Sequence, residues 1–476
     1  MLRTFPVLFF ACLCCGAFAD NERPNIMLIL ADDQAFSTIA AGGNSEIKTP
    51  NIDRLYARGT RFSHAYNMGG WNGAICIASR TMLNTGRYLW NAEKENTKLN
   101  KEWIPEKRMW SQRMATAGYQ TFFTGKWHVK AKNEDIFEVS RHVRGGMPKQ
   151  VDKGYDRPLS KDDKDWLPWD KSNGGFWEGG RHWSDVVGDD AVDYVKIAKD
   201  DSRPFFMYLA FNAPHDPRQA PKSFVDMYPV AQVKVPESFL SEYPYDIGSN
   251  KIRDERLAPF PRTHYSVQVN RQEYFAIITH MDQQIGRILD ALESSGQADN
   301  TWIFFTADHG LACGHHGLLG KQNQFDHSVR VPFVVTGPGV LKKTVSDRIY
   351  YQDLMPTSLE LAKAKVPDDI QFNSLLPKLK GDDPEPAADA SGEIYSGYTK
   401  TQRMYIDGHH KLILYPKISV SLLYDLKNDP LELVDLSSKD GSYHQKRNLF
   451  RGLLSWQQRT GDEVDLESAF PELAAE

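Results

Sequence analysis

Four short apolar runs, each broken off by residues that can do chemistry, constrain this chain more than any other feature. They are Asn25–Leu30, Tyr119–Phe123, Pro204–Phe211 and Thr301–Thr306. All are rich in branched or aromatic residues, as central strands covered on both faces should be. The first runs into Asp32-Asp33 and the second into Gly125-Lys126-Trp127-His128. The third runs into Asn212-Ala213-Pro214-His215 and the fourth into Asp308-His309-Gly310. In an open α/β sheet, ligands sit beyond the carboxyl ends of the strands. Carboxylates, a lysine and histidines delivered to that edge by four separate strands therefore predict one convergent site.

Between these runs the pattern turns helical. Thr49-Pro50-Asn51-Ile52 reads as a helix start, with Thr49 as its cap and Pro50 in the first turn. Gln272–Ser294 places Phe275, Ile278, Met281, Ile285, Ile288, Leu289 and Leu292 at helical spacing. Asp353–Lys363 reads as a helix closing the main domain, and Val331–Val335 as another strand. Residues 130–185 and 216–262 read as long loops on the catalytic edge. The first carries Trp166, Trp169, Trp177 and Trp183, whose rings either stack on sugar faces or simply cover core. Gly381–Ser391 reads as an exposed connection. After it, Glu393–Tyr398, Met404–Ile406, Lys411–Tyr415 and Leu422–Leu426 predict short antiparallel strands, and Tyr443–Thr460 a final helix.

A chain of 476 residues can build one large core and a smaller second unit. Its net charge of −5 excludes the broad basic face of a nucleic-acid protein, while leaving room for a locally positive pocket. Residues 1–19 read as a secretory signal: Arg3, an apolar run from Phe5 to Phe18, and a small-x-small cleavage site at Ala17-Phe18-Ala19. A retained anchor, or a lipoprotein-type cut at Cys12, is the alternative. The expected mature protein is secreted or periplasmic and has no membrane span. It keeps two cysteines, Cys76 and Cys313, which could pair as a disulfide. The organisation expected is a signal over 1–19, a catalytic domain over 20–375 and a C-terminal α+β subdomain over 376–476.

Cys76-Ile77-Ala78-Ser79-Arg80 resembles the signature Cys-x-Pro/Ala-x-Arg of the type I sulfatases, members of the alkaline-phosphatase superfamily. The resemblance runs from Pro24-Asn25-Ile26 to the stretch Leu423–Glu432, and the long loops match least. It implies an α/β fold in which helices sandwich a large mixed β-sheet, with a smaller C-terminal antiparallel sheet and helix. It further implies that a maturation enzyme oxidises Cys76 to formylglycine, whose hydrated aldehyde attacks sulfur in a sulfate ester. Asp32, Asp33, Asp308 and the modified Cys76 would hold Ca²⁺, with Mg²⁺ the alternative; His309 would join them or touch a sulfate oxygen. Arg80 would stabilise the diol, Lys126 and Lys321 would grip sulfate oxygens, His128 would act as base, and His215 would protonate the departing sugar oxygen.

The implied substrate is a sulfated glycan of carrageenan-like, ulvan-like or glycosaminoglycan type. Arg181 and His182 are candidate sugar contacts, as are His410 and its basic neighbours Arg403, His409 and Lys411. Two rival readings stay open: a phosphodiesterase or phosphonate monoester hydrolase of the same superfamily, and a catalytically silent glycan-binding protein.

Overall fold

The computed structural model describes residues 23–249, 251–381 and 392–475. The signal over residues 1–19 and nearly all of the connection at 381–391 lie outside them. The described strands are β1 (Asn25–Ala31), β2 (Thr60–Tyr66), β3 (Gly69–Gly70), β4 (Gln120–Lys126), β5 (Val139–Arg144), β6 (Trp177–Glu178), β7 (Arg181–His182) and β8 (Phe205–Ala210). They continue with β9 (Thr301–Ala307), β10 (Arg330–Val331), β11 (Phe333–Thr336), β12 (Lys343–Tyr350), β13 (Ile394–Tyr398), β14 (Gln402–Asp407), β15 (His410–Tyr415) and β16 (Val420–Asp425).

The four apolar runs are neighbours. The large sheet has the order β10-β2-β11-β9-β1-β8-β4-β5, with β12 pairing β2. From β9 through β5 every pairing is parallel, whereas β11 is antiparallel to both β9 and β2. The sheet is thus mixed, with a parallel centre. Its central strands are apolar throughout because both faces are covered. Phe206 and Tyr208, two residues apart on β8, meet Trp110 of helix Trp110–Thr116, at ring separations of 4.8 and 5.8 Å. Phe122, on the other face of β4, meets Tyr194 of helix Trp183–Lys199 at 5.0 Å. The long helix His264–Ser295 packs behind the latter and begins eight residues earlier than its hydrophobic spacing implies.

The helix at Pro50–Arg58 forms as expected, but Thr49 does not cap it. Asp282 of the long helix instead accepts hydrogen bonds from the N–H groups of Asn51 and Ile52, at 3.1 and 2.7 Å. A buried carboxylate brought in by packing takes the orphan donors of the first turn.

The C-terminal strands β13–β16 form an antiparallel meander, and helix Ser442–Thr460 buries Leu449, Phe450, Leu453 and Trp456 against it. The sheet gains a fifth strand from far away: β3 pairs in parallel with β13. That approach requires Gly69, since a Cβ there would lie 2.0 Å from the Gly397 carbonyl oxygen. The segment leading into Cys76 is thereby fastened to the C-terminal unit. Trp166 and Trp177 are buried, while Trp183 lies under Arg144 at 4.2 Å. Cys76 and Cys313 are both buried free thiols, so the disulfide alternative is not adopted.

Candidate active site

Strand register assembles the site. Ala31 of β1 pairs with Ala307 of β9, so Asp32 and Asp308 emerge side by side one residue later. Leu30 pairs with Ala210 of β8, and Ala210 with Gly125 of β4, which sets Lys126 and the segment Asn212–His215 along the same edge. Gly125 has φ +94°, and a Cβ there would meet the Ala210 oxygen at 1.8 Å. Only glycine allows the chain to turn there and deliver Lys126. Asp33 also has positive φ (66°), a conformation Asp tolerates better than most residues. Tyr274 holds that turn, donating to the Asp33 carbonyl at 2.6 Å and accepting from the Ala35 N–H at 2.9 Å.

Cys76 is the second residue of helix Ile75–Thr85, whose side chains from Ile75 through Thr85 are nearly all buried. Its Sγ lies 3.3 Å from Asp32 Oδ1, 3.7 Å from Asp33 Oδ1 and 3.4 Å from Lys321 Nζ. One turn on, Arg80 Nε donates to Asp308 Oδ2 at 2.8 Å. Lys126 pairs with Asp32, and Lys321 Nζ lies 2.5 Å from Asp33 Oδ2. Ligand atoms of Asp32, Asp33, Cys76 and Asp308 all fall within 4.8 Å of one another, and all four residues are buried.

Three carboxylates packed this closely, away from water, repel one another unless cations intervene. The ionisation of the cluster shows the conflict. Burial opposes charge on Arg80, Lys126 and Lys321, yet the adjacent aspartates overcome it and hold all three protonated. Burial would raise Asp308 too, but Arg80 and Lys126 keep it well below the ordinary carboxylate range. Asp33 is pushed up to about 6: burial dominates, and Lys321 and His215 offset it only in part. The Lys321–Asp33 pair is therefore lopsided: the lysine is firmly charged, whereas burial, and after it the charges of Asp32 and Asp308, raises the carboxyl group above its ordinary range. Burial, followed by the charges of Asp308 and Asp32, drives the Cys76 thiol far up. An unmodified Cys76 is held as a neutral thiol and is a poor nucleophile.

Several buried polar atoms at this edge make no hydrogen bond. His309 Nδ1 bonds the Gly310 carbonyl at 3.0 Å, leaving a buried Nε2 unengaged. His128 Nδ1 and Arg80 Nη2 are likewise buried without hydrogen bonds. Burial, followed by the charges of Lys126 and Arg80, holds His128 neutral. His215 Nδ1 is 2.9 Å from Asp216 Oδ1, and its Nε2 is 3.5 Å from Asp33 Oδ2. A cavity of about 210 Å³ opens over Cys76, bounded by His128, His215 and Lys321 and, opposite, by Met147, Arg253 and Asp254.

The structure thus gathers Asp32, Asp33, Cys76, Arg80, Lys126, His128, His215, Asp308, His309 and Lys321 at one edge. It does not bring Arg181, His182 or His410 to that cavity. Arg181 is exposed and pairs with Asp189. His182 is fully buried, its Nε2 2.9 Å from the Gln219 oxygen and its Nδ1 accepting from the Ser184 N–H, so it offers no polar atom to a sugar. His410 sits in the C-terminal sheet opposite Asp425. Arg403 and Lys411, expected on a basic surface, are buried: Arg403 forks onto Asp462 at 2.6 Å through two nitrogens, and Lys411 holds Asp326 and Glu432.

Sequence reasoning missed Arg253, Asp254 and Gln322. Asp254 is 3.8 Å from Lys321 Nζ and accepts from Gln322 Nε2 at 2.8 Å. Asn212, expected at the end of the third strand, has an amide that donates to the Gly146 carbonyl at 2.9 Å, a contact to the loop carrying Met147 that the sequence did not reveal. No spacing signal marked Arg253 and Asp254, which come from an irregular segment.

A family model described as Sulfatase matches residues 24–364. The chain belongs to the sulfatase family. A further model, described as N-sulphoglucosamine sulphohydrolase, C-terminal, matches residues 314–459 of this sulfatase. An arylsulfatase of Clostridium perfringens is 26% identical over 480 residues, spanning 91% of this chain and 94% of that protein. An N-acetylglucosamine-6-O-sulfatase of Bacteroides thetaiotaomicron is 25% identical, spanning 92% and 87% respectively. Among solved structures, BT4656 in complex with its substrate D-glucosamine-2-N,6-O-disulfate superposes with a TM-score of 0.72 at 22% identity, covering 93% of this chain and 99% of that one. The phosphonate monoester hydrolase of Agrobacterium radiobacter reaches 0.70 at 21% identity, covering 92% and 96%. Both share the fold. The sulfatase is thus a hydrolase of the sulfate-ester class, and no helix of the described residues is long and apolar enough to cross a membrane.

Proposed function

We propose that this sulfatase removes sulfate from a sulfated glycan, and that its nucleophile is a formylglycine made from Cys76 by a maturation enzyme. The observation that carries the reading is the position of Cys76 Sγ, within 3.7 Å of Asp32, Asp33 and Lys321 in a site where a thiol stays neutral. Once hydrated, formylglycine supplies an oxygen nucleophile for sulfur. The glycan reading is supported by relatives named for N-acetylglucosamine-6-O-sulfate and for ulvan. Export to the periplasm or the medium is part of the proposal, on the strength of the signal-like start.

The residues fit a divalent cation of hard character. Asp32, Asp33 and Asp308 supply oxygen donors in a buried cluster whose own repulsion a cation would relieve, which suits Ca²⁺, or Mg²⁺. His309 Nε2, buried and unengaged, is available to the ion or to a sulfate oxygen. When bound, the ion would orient the nucleophile and neutralise sulfate charge. Lys126 and Lys321, both held charged, would grip sulfate oxygens beside Cys76. Arg80 is fixed by Asp308, and its Nη2, which makes no hydrogen bond and lies 3.8 Å from Asp32, would donate to the modified residue 76. His128, held neutral, can accept a proton. His215, with Asp216 on its Nδ1, presents Nε2 to the cavity and can protonate a departing sugar oxygen.

The decisive experiment is peptide mass spectrometry across residues 76–80 on protein made with a maturation enzyme, paired with turnover of a sulfated oligosaccharide. An aldehyde at residue 76 that tracks with activity is expected. Full activity in a protein whose Cys76 is entirely thiol would overturn the mechanism.

A further inference from the structure

A groove larger than the cavity over Cys76 lies elsewhere on the molecule. A groove of about 680 Å³ lies where Arg23, Glu106, Lys107, Arg113, Lys363 and Lys365 converge, its other walls being alanine and threonine. Five of these six side chains are cationic, on a protein whose net charge is −5. Arg23 precedes β1, so the groove lies at the amino edge of the sheet, one strand length of about 23 Å from the carboxyl edge that carries Cys76.

Among the described residues, the arginines around the groove converge on few carboxylates. Asp369 must serve Arg108 at 3.0 Å, Arg113 at 3.8 Å and Arg87 at 4.0 Å, and Glu106 pairs with Arg108 at 3.2 Å. Among the described residues, three arginines, Arg87, Arg108 and Arg113, thus draw on these two carboxylates. Arg113 feels the crowding: partial burial, and then the charges of Arg108 and Arg87, push it below its ordinary value. The side chains have other anchors. Arg23 is held by the Ala117 carbonyl and lies over the Tyr119 ring at 5.9 Å; Arg113 Nε donates to the Arg108 carbonyl at 2.8 Å. Arginines held in place this way lose little side-chain freedom on meeting an anion. Lys107 and Lys365 are exposed at the rim.

We infer that this groove is a second, non-catalytic binding site for a sulfated polysaccharide strand. It would tether the enzyme to the polymer whose sulfate esters are cut at the opposite edge. The inference rests on the glycan reading above for the identity of the polyanion. The sulfates of a glycan match a groove whose lining is cationic and holds no aromatic ring on which a base could stack. Its proximity to no strand carboxyl end and no catalytic residue removes it from the chemistry itself. The gain is one of effective concentration: a tethered enzyme meets many esters per encounter.

The test uses the full-length matured protein and the double variant Lys107→Glu, Lys365→Glu, whose changed residues lie on the surface, away from the active site. Affinity for a heparin dodecasaccharide is measured by calorimetry at low and moderate salt, alongside turnover of 4-methylumbelliferyl sulfate. We expect roughly tenfold weaker binding in the variant and a flatter salt dependence, with turnover of the small ester unchanged. Equal heparin affinity in both proteins would overturn the proposal. So would double-stranded DNA or phosphatidylserine vesicles binding the groove more tightly than heparin at the same salt, which would assign it to another polyanion. The two readings fail separately: loss of small-ester turnover in the wild-type protein counts against the catalytic assignment, while the heparin comparison alone judges the groove.

Discussion

Two buried ion clusters in this protein are built from the same side chains and serve opposite ends. At the carboxyl edge, Arg80, Lys126 and Lys321 face Asp32, Asp33 and Asp308. Beneath the C-terminal sheet, Lys411 lies 2.8 Å from Asp326 and 2.7 Å from Glu432, with Arg330 at 3.3 Å from Asp326 and the Tyr66 hydroxyl at 3.2 Å. The first opens onto a cavity and keeps unengaged polar atoms on His309, His128 and Arg80. In the second, each carboxylate is held by a cation: Glu432 Oε2 accepts from the Asp326 N–H at 2.7 Å, and its Oε1, which makes no directed hydrogen bond, lies 2.7 Å from Lys411 Nζ, so the cluster ties β15 to the segment that follows the Cys313 loop. Buried charge alone does not mark a site. What marks it is charge with partners missing, placed where strands end.

The sharpest way to break this contrast is to remove residue 76. Cys76→Ala should lower turnover of a sulfated oligosaccharide by at least about 10⁴-fold, since no other group in the cavity can replace the nucleophile. Its melting temperature should stay within a few degrees of the wild type, because one buried thiol is a small part of a large core. Retained activity would move the chemistry elsewhere. Chelation should act almost as strongly. Dialysis against EDTA is expected to abolish turnover, and added Ca²⁺ or Mg²⁺ to restore it together with a rise in melting temperature. Metal-independent turnover would leave the three crowded carboxylates without their proposed role.

Lysine substitutions then separate the clusters. Lys126→Met should reduce kcat/KM by about 10²- to 10³-fold, as expected for loss of a fixed charge aimed at the reacting group. Asp32 would keep Arg80 at 3.8 Å, so the fold should survive. Lys411→Met should do the reverse. It strands Asp326 and Glu432 in the interior at a cost of about 3–5 kcal/mol, visible in urea unfolding, with activity per folded molecule unchanged. Adding Glu432→Gln should recover part of the loss. If Lys126→Met and Lys411→Met changed stability and activity in the same proportions, the distinction between the clusters would fall.

The active-site half of this contrast is legible in the sequence; the C-terminal half is not. The central strands were legible because a parallel sheet buried on both faces writes continuous apolar runs, and the residues at their ends follow at once in the chain. Asp32, Lys126, His215 and Asp308 needed only the rule about carboxyl edges, and Cys76-x-x-x-Arg80 carried its own resemblance. Arg403 and Lys411 misled because a cation in a short alternating strand looks exposed; their partners, Asp462, Asp326 and Glu432, lie up to 85 residues away in sequence. His182 misled for the same reason, since its burial depends on Phe176 and on Gln219 in another segment. Arg253 and Asp254 were invisible because the loop that carries them has no period. Asp282 as the true cap of Pro50–Arg58 was equally so: the donor groups and their acceptor are 230 residues apart.

The finest test concerns pH, because burial raises one carboxylate in each cluster. Asp33 is raised to about 6 and Glu432 to about 7, in both cases chiefly by burial, against Lys321 and Lys411 respectively. A carboxyl group whose value is higher folded than unfolded holds its proton more tightly in the native state. Its contribution is fully present below the unfolded value and is lost as pH rises through the folded one. Asp33 should therefore cost stability between about pH 4 and 6, and Glu432 between about pH 4.5 and 7, by about 3 kcal/mol each at most. The clusters part company when Ca²⁺ is added. A cation at Asp33 would stabilise the carboxylate form and erase that share, whereas in the C-terminal cluster Lys411 already sits between both carboxylates. Melting temperatures from pH 5 to 8 should show the wild type losing part of its slope on adding Ca²⁺. Glu432→Gln should lose a separate part with or without it. A calcium effect that disappears in Glu432→Gln would mean that the ion acts at the C-terminal cluster, and that the two clusters had been told apart wrongly.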